Sequence, residues 1–198
     1  MRIILDPGHG GLLDGVYQTA GKRSLTEIDG SWYYEGVGNR NIVNEIAACL
    51  RINDYEVKFT VDPTDPTDIP LKDRVQRINQ LAKEKESILI SVHSNGHSNT
   101  SANGHEVFTC NGSSKNSELL ANIWLEEYFK LVKDQRNRGH KKANFYVIKR
   151  SSCPSILIET AFHTNPEEVR LLRHWEYKIN VALAVLNTIR QYETRKTW

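Results

Sequence analysis

The sequence predicts a single α/β domain built on a mostly parallel sheet, and three observations carry that prediction. Short apolar runs, among them IIL at residues 3–5, SILISV at 87–92 and SILI at 155–158, alternate with longer segments of helical periodicity, which is the pattern of strands feeding helices. SILISV is strongly apolar, as a strand buried on both faces requires. The chain has 198 residues without an internal repeat or a low-complexity tract, a length that buries one core and gives no sign of a second.

Taken in order, residues 2–6 read as the first strand, stopped by Pro7 and Gly8. Residues 10–34 are polar, glycine-rich and aromatic without a clean period, and a loop of that length in a compact domain is usually functional; the segment is a candidate substrate-facing lid. Ile42, Val43, Ile46, Ala47 and Leu50 give residues 39–52 a helical spacing, and residues 55–61 then alternate like a strand. DPTDPTDIP is a loop of repeated turn signals. A second helix begins near Leu71, with Val75, Ile78, Leu81 and Ala82 on one face, and the strand at 87–92 delivers His93. Residues 105–110 read as a strand, 118–132 as a helix, and 145–148 and 155–159 as two more strands. After Asn165 and Pro166 the chain reads as helical to its end, with Ile179, Leu183, Leu186 and Ile189 as its apolar stripe.

Composition narrows the function classes. Lys and Arg exceed Asp and Glu by 26 to 24 and are not clustered, so there is no electrostatic footprint for nucleic acid. Three cysteines, Cys49, Cys110 and Cys153, lack C-x-x-C spacing and read as reduced, packed thiols. No run approaches the ~18 apolar residues that a membrane-spanning helix needs, and the N-terminus shows no signal-peptide apolar region.

Four residues combine into a hydrolytic set. His9 in LDPGHGG stands at the carboxyl end of the first strand, where open α/β sheets place their ligand sites. His93 in ISVHSNG again follows an apolar strand directly, so the two imidazoles can converge at one sheet edge. A catalytic zinc takes three protein ligands and leaves a fourth position for water. Glu35, just before the helix in YYEGVGNRNIVNEIA, is the best third donor; Glu27, deep in the loop, and Glu45, within the helix, are weaker alternatives. Alone, Glu35 would read as an acid favoured by a helix N-terminus. Glu159 ends the apolar run SILI, where a carboxylate must sit at the mouth of the sheet or be compensated. It supplies the general base that is not a ligand.

These residues, with NGHEVF at 103–108 and PSILIETAFHTNPEEVRLL from Pro154, resemble the zinc-dependent N-acetylmuramoyl-L-alanine amidase catalytic domain, the Amidase-3 family, over nearly the whole chain. The resemblance implies a twisted sheet flanked by helices on both faces and one Zn2+ bound by His9, Glu35 and His93, with Glu159 catalytic. The implied reaction cleaves the amide between N-acetylmuramic acid and the L-alanine of the peptidoglycan stem peptide. Competing readings are an inactive peptidoglycan-binding module and a zinc peptidase cutting within the stem.

Two positions depart from the family pattern: Ser94 stands where alanine is usual, and His163 where leucine or isoleucine is common. His163 is either a contact to substrate or the departing amine, or a solvent-facing loop histidine. Asp6 is either a partner that fixes a ligand histidine or a turn cap, and Asn39, four residues after Glu35, is counted with it as a supporting residue. Arg138 and His140 in RNRGHKKANF either bind stem-peptide carboxylates or form a basic surface loop. The expected organisation is one catalytic domain over residues 1–198 without a separate wall-binding module, monomeric, partnered by peptidoglycan and not by nucleic acid or membrane. Without a visible signal peptide, the expectation is a protein made in the cytoplasm that reaches the wall after release, as a phage endolysin does, or a fragment of a secreted amidase.

Overall fold

Alternation along the central strands divides the molecule into two layers. The computed structural model describes residues 1–196. Strand β1 (Arg2–Pro7) pairs in parallel with both β4 (Glu56–Phe59) and β5 (Ser87–Asn95), and β5 pairs in parallel with β8 (Ser155–Phe162). Strand β6 (His105–Thr109) runs antiparallel to β8, and β7 (Asn137–Lys142) runs parallel to β6. The six-stranded order is β4-β1-β5-β8-β6-β7.

Side chains point alternately to opposite faces. Ile3, Leu5, Ile88, Ile90, Val92, Val107, Ile156 and Ile158 enter one large core, while Ile4, Leu89 and Leu157 enter a smaller one on the other face. The large core is closed by helices α1 (Glu35–Ile52), α3 (Lys115–Leu131), α5 (Pro166–Arg173) and α6 (Trp175–Arg195). Only α2 (Leu71–Glu84) and the one-turn α4 (Tyr146–Lys149) contribute to the smaller core, through Ile78, Val147 and Ile148. Local signals start two of the helices: Ser114 Oγ accepts from Ser117 N at 3.1 Å before α3, and Asn165 caps α5 with Pro166 in its first turn. Among the described residues no helix is long and apolar enough to cross a membrane.

Several elements differ from the sequence expectation. Of residues 145–148, expected as a strand, Phe145 is the N-cap and the rest fold into α4; a short apolar run does not distinguish strand from helix, and β8 already has β5 and β6 on its two sides. The polar segment NRGHKK, expected as a loop, is the edge strand β7, half-buried because an edge needs no continuous apolar run. On α6, Leu186 and Ile189 face the core as expected, but Ile179 and Leu183 are exposed, and Tyr177, Val181 and Val185 take the buried face. The loop at 10–34 contains a small hairpin, β2 (Leu12–Leu13) with β3 (Val16–Tyr17). Asp14 and Gly15 turn it at φ 49° and 78°, the positive pair a two-residue hairpin demands.

Candidate active site

Strand parity and register bring the sequence-selected residues to one edge. Asp6 lies opposite Ser91 between β1 and β5, and His93 opposite Glu159 between β5 and β8. All four share parity with Ile4, Leu89 and Leu157, so they point to the face that α2 and α4 cover thinly. There an open cleft of about 710 Å³ is lined by His9, Glu35, His93, Glu159 and His163 together with residues of the 10–34 loop, α2 and α4.

His9 occupies a left-handed conformation with φ 66°, which costs a non-glycine residue ~1–3 kcal/mol unless its surroundings impose it. Two buried arginines do so. The His9 carbonyl accepts from Arg40 Nη1 at 2.7 Å and from Arg74 Nη2 at 3.1 Å. Arg74 Nη1 also donates to Pro7 O at 2.6 Å and to Asp6 Oδ1 at 2.9 Å. Asp6 in turn accepts from Ser91 Oγ at 2.6 Å and Thr60 Oγ1 at 2.5 Å. Burial alone would raise the Asp6 pKa, but Arg74 and the two hydroxyls outweigh it and hold the carboxyl below its ordinary value. Asp6 therefore neither bonds a histidine nor caps a turn; it anchors the arginine that fixes the His9 backbone. Asn39 Nδ2 donates to Gly8 O at 3.2 Å in the same turn. Gly8 lies against the His93 ring so closely that a Cβ there would fall 2.1 Å from Cε1, so only glycine fits.

Glu35 is the first residue of α1 and is buried. Its Oε1 lies 3.2 Å from His9 Nε2, 3.1 Å from His93 Nδ1 and 3.3 Å from Ser94 N. Its Oε2 is sealed from solvent without a hydrogen bond, 3.7 Å from His163 Nδ1. Burial pushes this carboxyl up, yet the two histidine contacts more than offset that and lower its pKa. One donor atom from each of His9, Glu35 and His93 lies within 4.8 Å of the others, a group able to hold a metal ion.

Glu159 shows the opposite behaviour. One of its oxygens is buried without a partner. Burial first, then the charges of Glu35 and Glu106, raise its pKa well above the ordinary value, with Lys22 opposing. Glu106 faces it across the β6–β8 ladder and is an ion-paired carboxylate, accepting from Asn95 Nδ2 at 2.7 Å, Arg138 Nε at 2.6 Å and Lys141 Nζ at 2.5 Å.

The two departures from the family pattern touch each other. His163 is 4% exposed, not a solvent-facing histidine. Its Nδ1 lies 2.9 Å from Ser94 O and 3.1 Å from Ser94 Oγ, and burial lowers its pKa. Arg138 and His140 are not brought to the cleft. Both stand on β7, where Arg138 is held by Glu106 and the Phe162 ring, and His140 by Thr109 at 2.8 Å and Asn122 at 3.3 Å. The sequence reading did not single out Arg40, Arg74 or Glu106. Arg74 carried a signal, since it precedes the core residue Ile78 by one helical turn and so shares its buried face.

Comparison with known proteins places this geometry. A profile of the Amidase_3 family, N-acetylmuramoyl-L-alanine amidase, matches residues 3–191. The N-acetylmuramoyl-L-alanine amidase AmiA of Salmonella typhimurium is 27% identical over 234 residues, a match covering 96% of this chain and 75% of AmiA. The N-acetylmuramoyl-L-alanine amidase LytC of Bacillus subtilis is 29% identical over 184 residues, covering 92% of this chain but only 34% of LytC. The crystal structure of an N-acetylmuramoyl-L-alanine amidase from Clostridium difficile 630 aligns with a TM-score of 0.82 at 29% identity, covering 99% of this chain and 98% of that one.

Proposed function

The chain belongs to the Amidase_3 family of N-acetylmuramoyl-L-alanine amidases, and from that premise we propose the chemistry of its cleft. The substrate is peptidoglycan, and the bond cut is the amide joining the lactyl group of N-acetylmuramic acid to the L-alanine of the stem peptide. His9, Glu35 and His93 hold one zinc ion, and Glu159 carries the proton.

The donors fit that metal. Two imidazole nitrogens and one carboxylate oxygen are a catalytic zinc set with a fourth position left open. Glu35 Oε1 lies 3.2 Å and 3.1 Å from the two ring nitrogens, and the three donors, all within 4.8 Å of one another, are the group that would hold the metal. A zinc ion there supplies Lewis acidity toward the scissile carbonyl and the attacking water.

The protein's own groups do the rest. Glu159, with an unpartnered oxygen at the cleft, takes the proton of the attacking water and passes it to the departing nitrogen. Its raised proton affinity suits a group that must hold a proton between two transfers. The water oxygen joins the lactyl carbon, the C–N bond breaks, and the stem peptide leaves with a free L-alanine amine. The observation that carries this reading is the pair of glutamates in one cleft, Glu35 in contact with both His9 and His93 and Glu159 buried with an unpartnered oxygen.

Mass spectrometry of products from purified peptidoglycan tests it. Zinc-loaded protein is expected to release intact stem peptides beginning with free L-alanine and to leave unsubstituted muramic acid in the glycan. Cleavage inside the peptide would replace the amidase reading with a peptidase one.

A further inference from the structure

One cation on the cleft is left without a partner. Lys22 lines the cleft, and no ion pair involves it among the described residues. The arginines and lysines behind the site are engaged: Arg74 by Asp6, Arg40 by the carbonyls of His9, Gly36, Asp65 and Thr67, and Arg138 and Lys141 by Glu106. Arg23, the neighbouring cation on the lining, rests over the Trp32 ring with its guanidinium carbon 4.1 Å from the centroid. The exposed large side chains around the cleft, Leu25, Leu71, Phe145 and Tyr146, carry no competing charge.

The backbone beneath Lys22 is fixed, although it belongs to the long loop. Lys22 O accepts from Glu35 N at 2.9 Å, and Ser24 N donates to Tyr33 O at 2.8 Å. The loop is thereby stitched to the first residue of α1, the same residue whose carboxylate meets His9 and His93. Lys22 lines the same cleft as Glu159 and His163.

Building on the amidase reading, we propose that Lys22 is a specificity residue that binds a free carboxylate on the stem peptide, the one carried by the residue that follows L-alanine. Lys22 lines the same cleft as Glu35 and Glu159, and among the described residues no carboxylate forms an ion pair with it. A lysine is suited to this, being a hydrated point charge on a flexible stem that meets a carboxylate without a fixed fork geometry. The subsite replaces Arg138 and His140, which the fold commits elsewhere.

The test compares two muramoyl peptides that differ only at this group, a free carboxylate in one and a carboxamide in the other. Hydrolysis by the zinc-loaded protein gives kcat/KM for wild type, Lys22→Met, Lys22→Arg and Arg23→Met. Wild type is expected to prefer the carboxylate by about tenfold, as one charge-assisted contact allows. Lys22→Met brings the ratio close to one, chiefly through KM, whereas Lys22→Arg and Arg23→Met keep most of it. Equal use of both substrates by wild type, a ratio unchanged in Lys22→Met, or an equal loss in Arg23→Met would each overturn the assignment. Cleavage of neither substrate by wild type would overturn the amidase reading and this inference with it.

Discussion

The two glutamates of the cleft have the same side chain and opposite surroundings. Glu35 enters from the N-terminus of α1 and meets His9 and His93, which lower its pKa. Glu159 enters from β8, with His93 opposite on β5 and Glu106 opposite on β6, and its pKa rises. Both carboxyls are pushed up by burial, and the neighbours decide the outcome, histidines for Glu35 and carboxylates for Glu159; on the proposed reading the first holds the metal and the second carries the proton.

The largest break in that contrast is Glu35→Gln. It is expected to lose bound zinc and activity together, because an amide oxygen does not replace an anionic donor; metal analysis beside a turnover assay checks it. Next comes Arg74→Met, which leaves Asp6 as a buried charge without its partner and frees the strained His9 carbonyl. Breaking such a pair costs ~3–5 kcal/mol, measured by urea denaturation, and weakening support behind a ligand lowers metal affinity ~10–100-fold. A substitution that left both unchanged would remove the arginine clamp from the account.

A smaller effect sharpens the contrast through pH. For Asp6, with a folded pKa below its ordinary 3.8, the stability contribution is present above that value and is lost as pH falls through the lowered folded pKa. For Glu159 the sign reverses. As pH rises above its ordinary 4.5, the unfolded chain gives up the proton first, so stability is lost toward the raised folded pKa. Metal-free Glu159→Gln is therefore expected to melt above metal-free wild type near pH 7, with the two curves converging below pH 4.5. A gap of the same size at both pH values would show that the fold does not raise the proton affinity of Glu159.

The centre of the sheet was legible in the sequence because burial on both faces leaves unbroken apolar runs, as in IIL, SILIS and SILI. Strand β7 was not, since an edge accepts polar residues, and residues 145–148 were ambiguous because so short a run carries no period. His9, His93 and Glu159 were legible because each follows an apolar run closely, although β5 and β8 continue past His93 and Glu159 to Asn95 and Phe162. The convergence of Glu35 on both histidines was not, for it depends on the angle at which α1 leaves the loop. Arg40 and Arg74 were passed over because arginines on amphipathic helices ordinarily face solvent, and only the packed fold shows two of them turned onto one carbonyl. Lys22 was hidden in a loop without periodicity, where position relative to the cleft is written in backbone hydrogen bonds and not in residue pattern.

The division of labour between the two glutamates is tested most directly by Glu159→Gln, with zinc content and turnover on peptidoglycan measured on the same preparation. Zinc retained at the wild-type level with kcat reduced by ~10²–10⁴, the range for removing a general acid–base group, is the predicted result. Loss of zinc, or turnover equal to wild type, would contradict it.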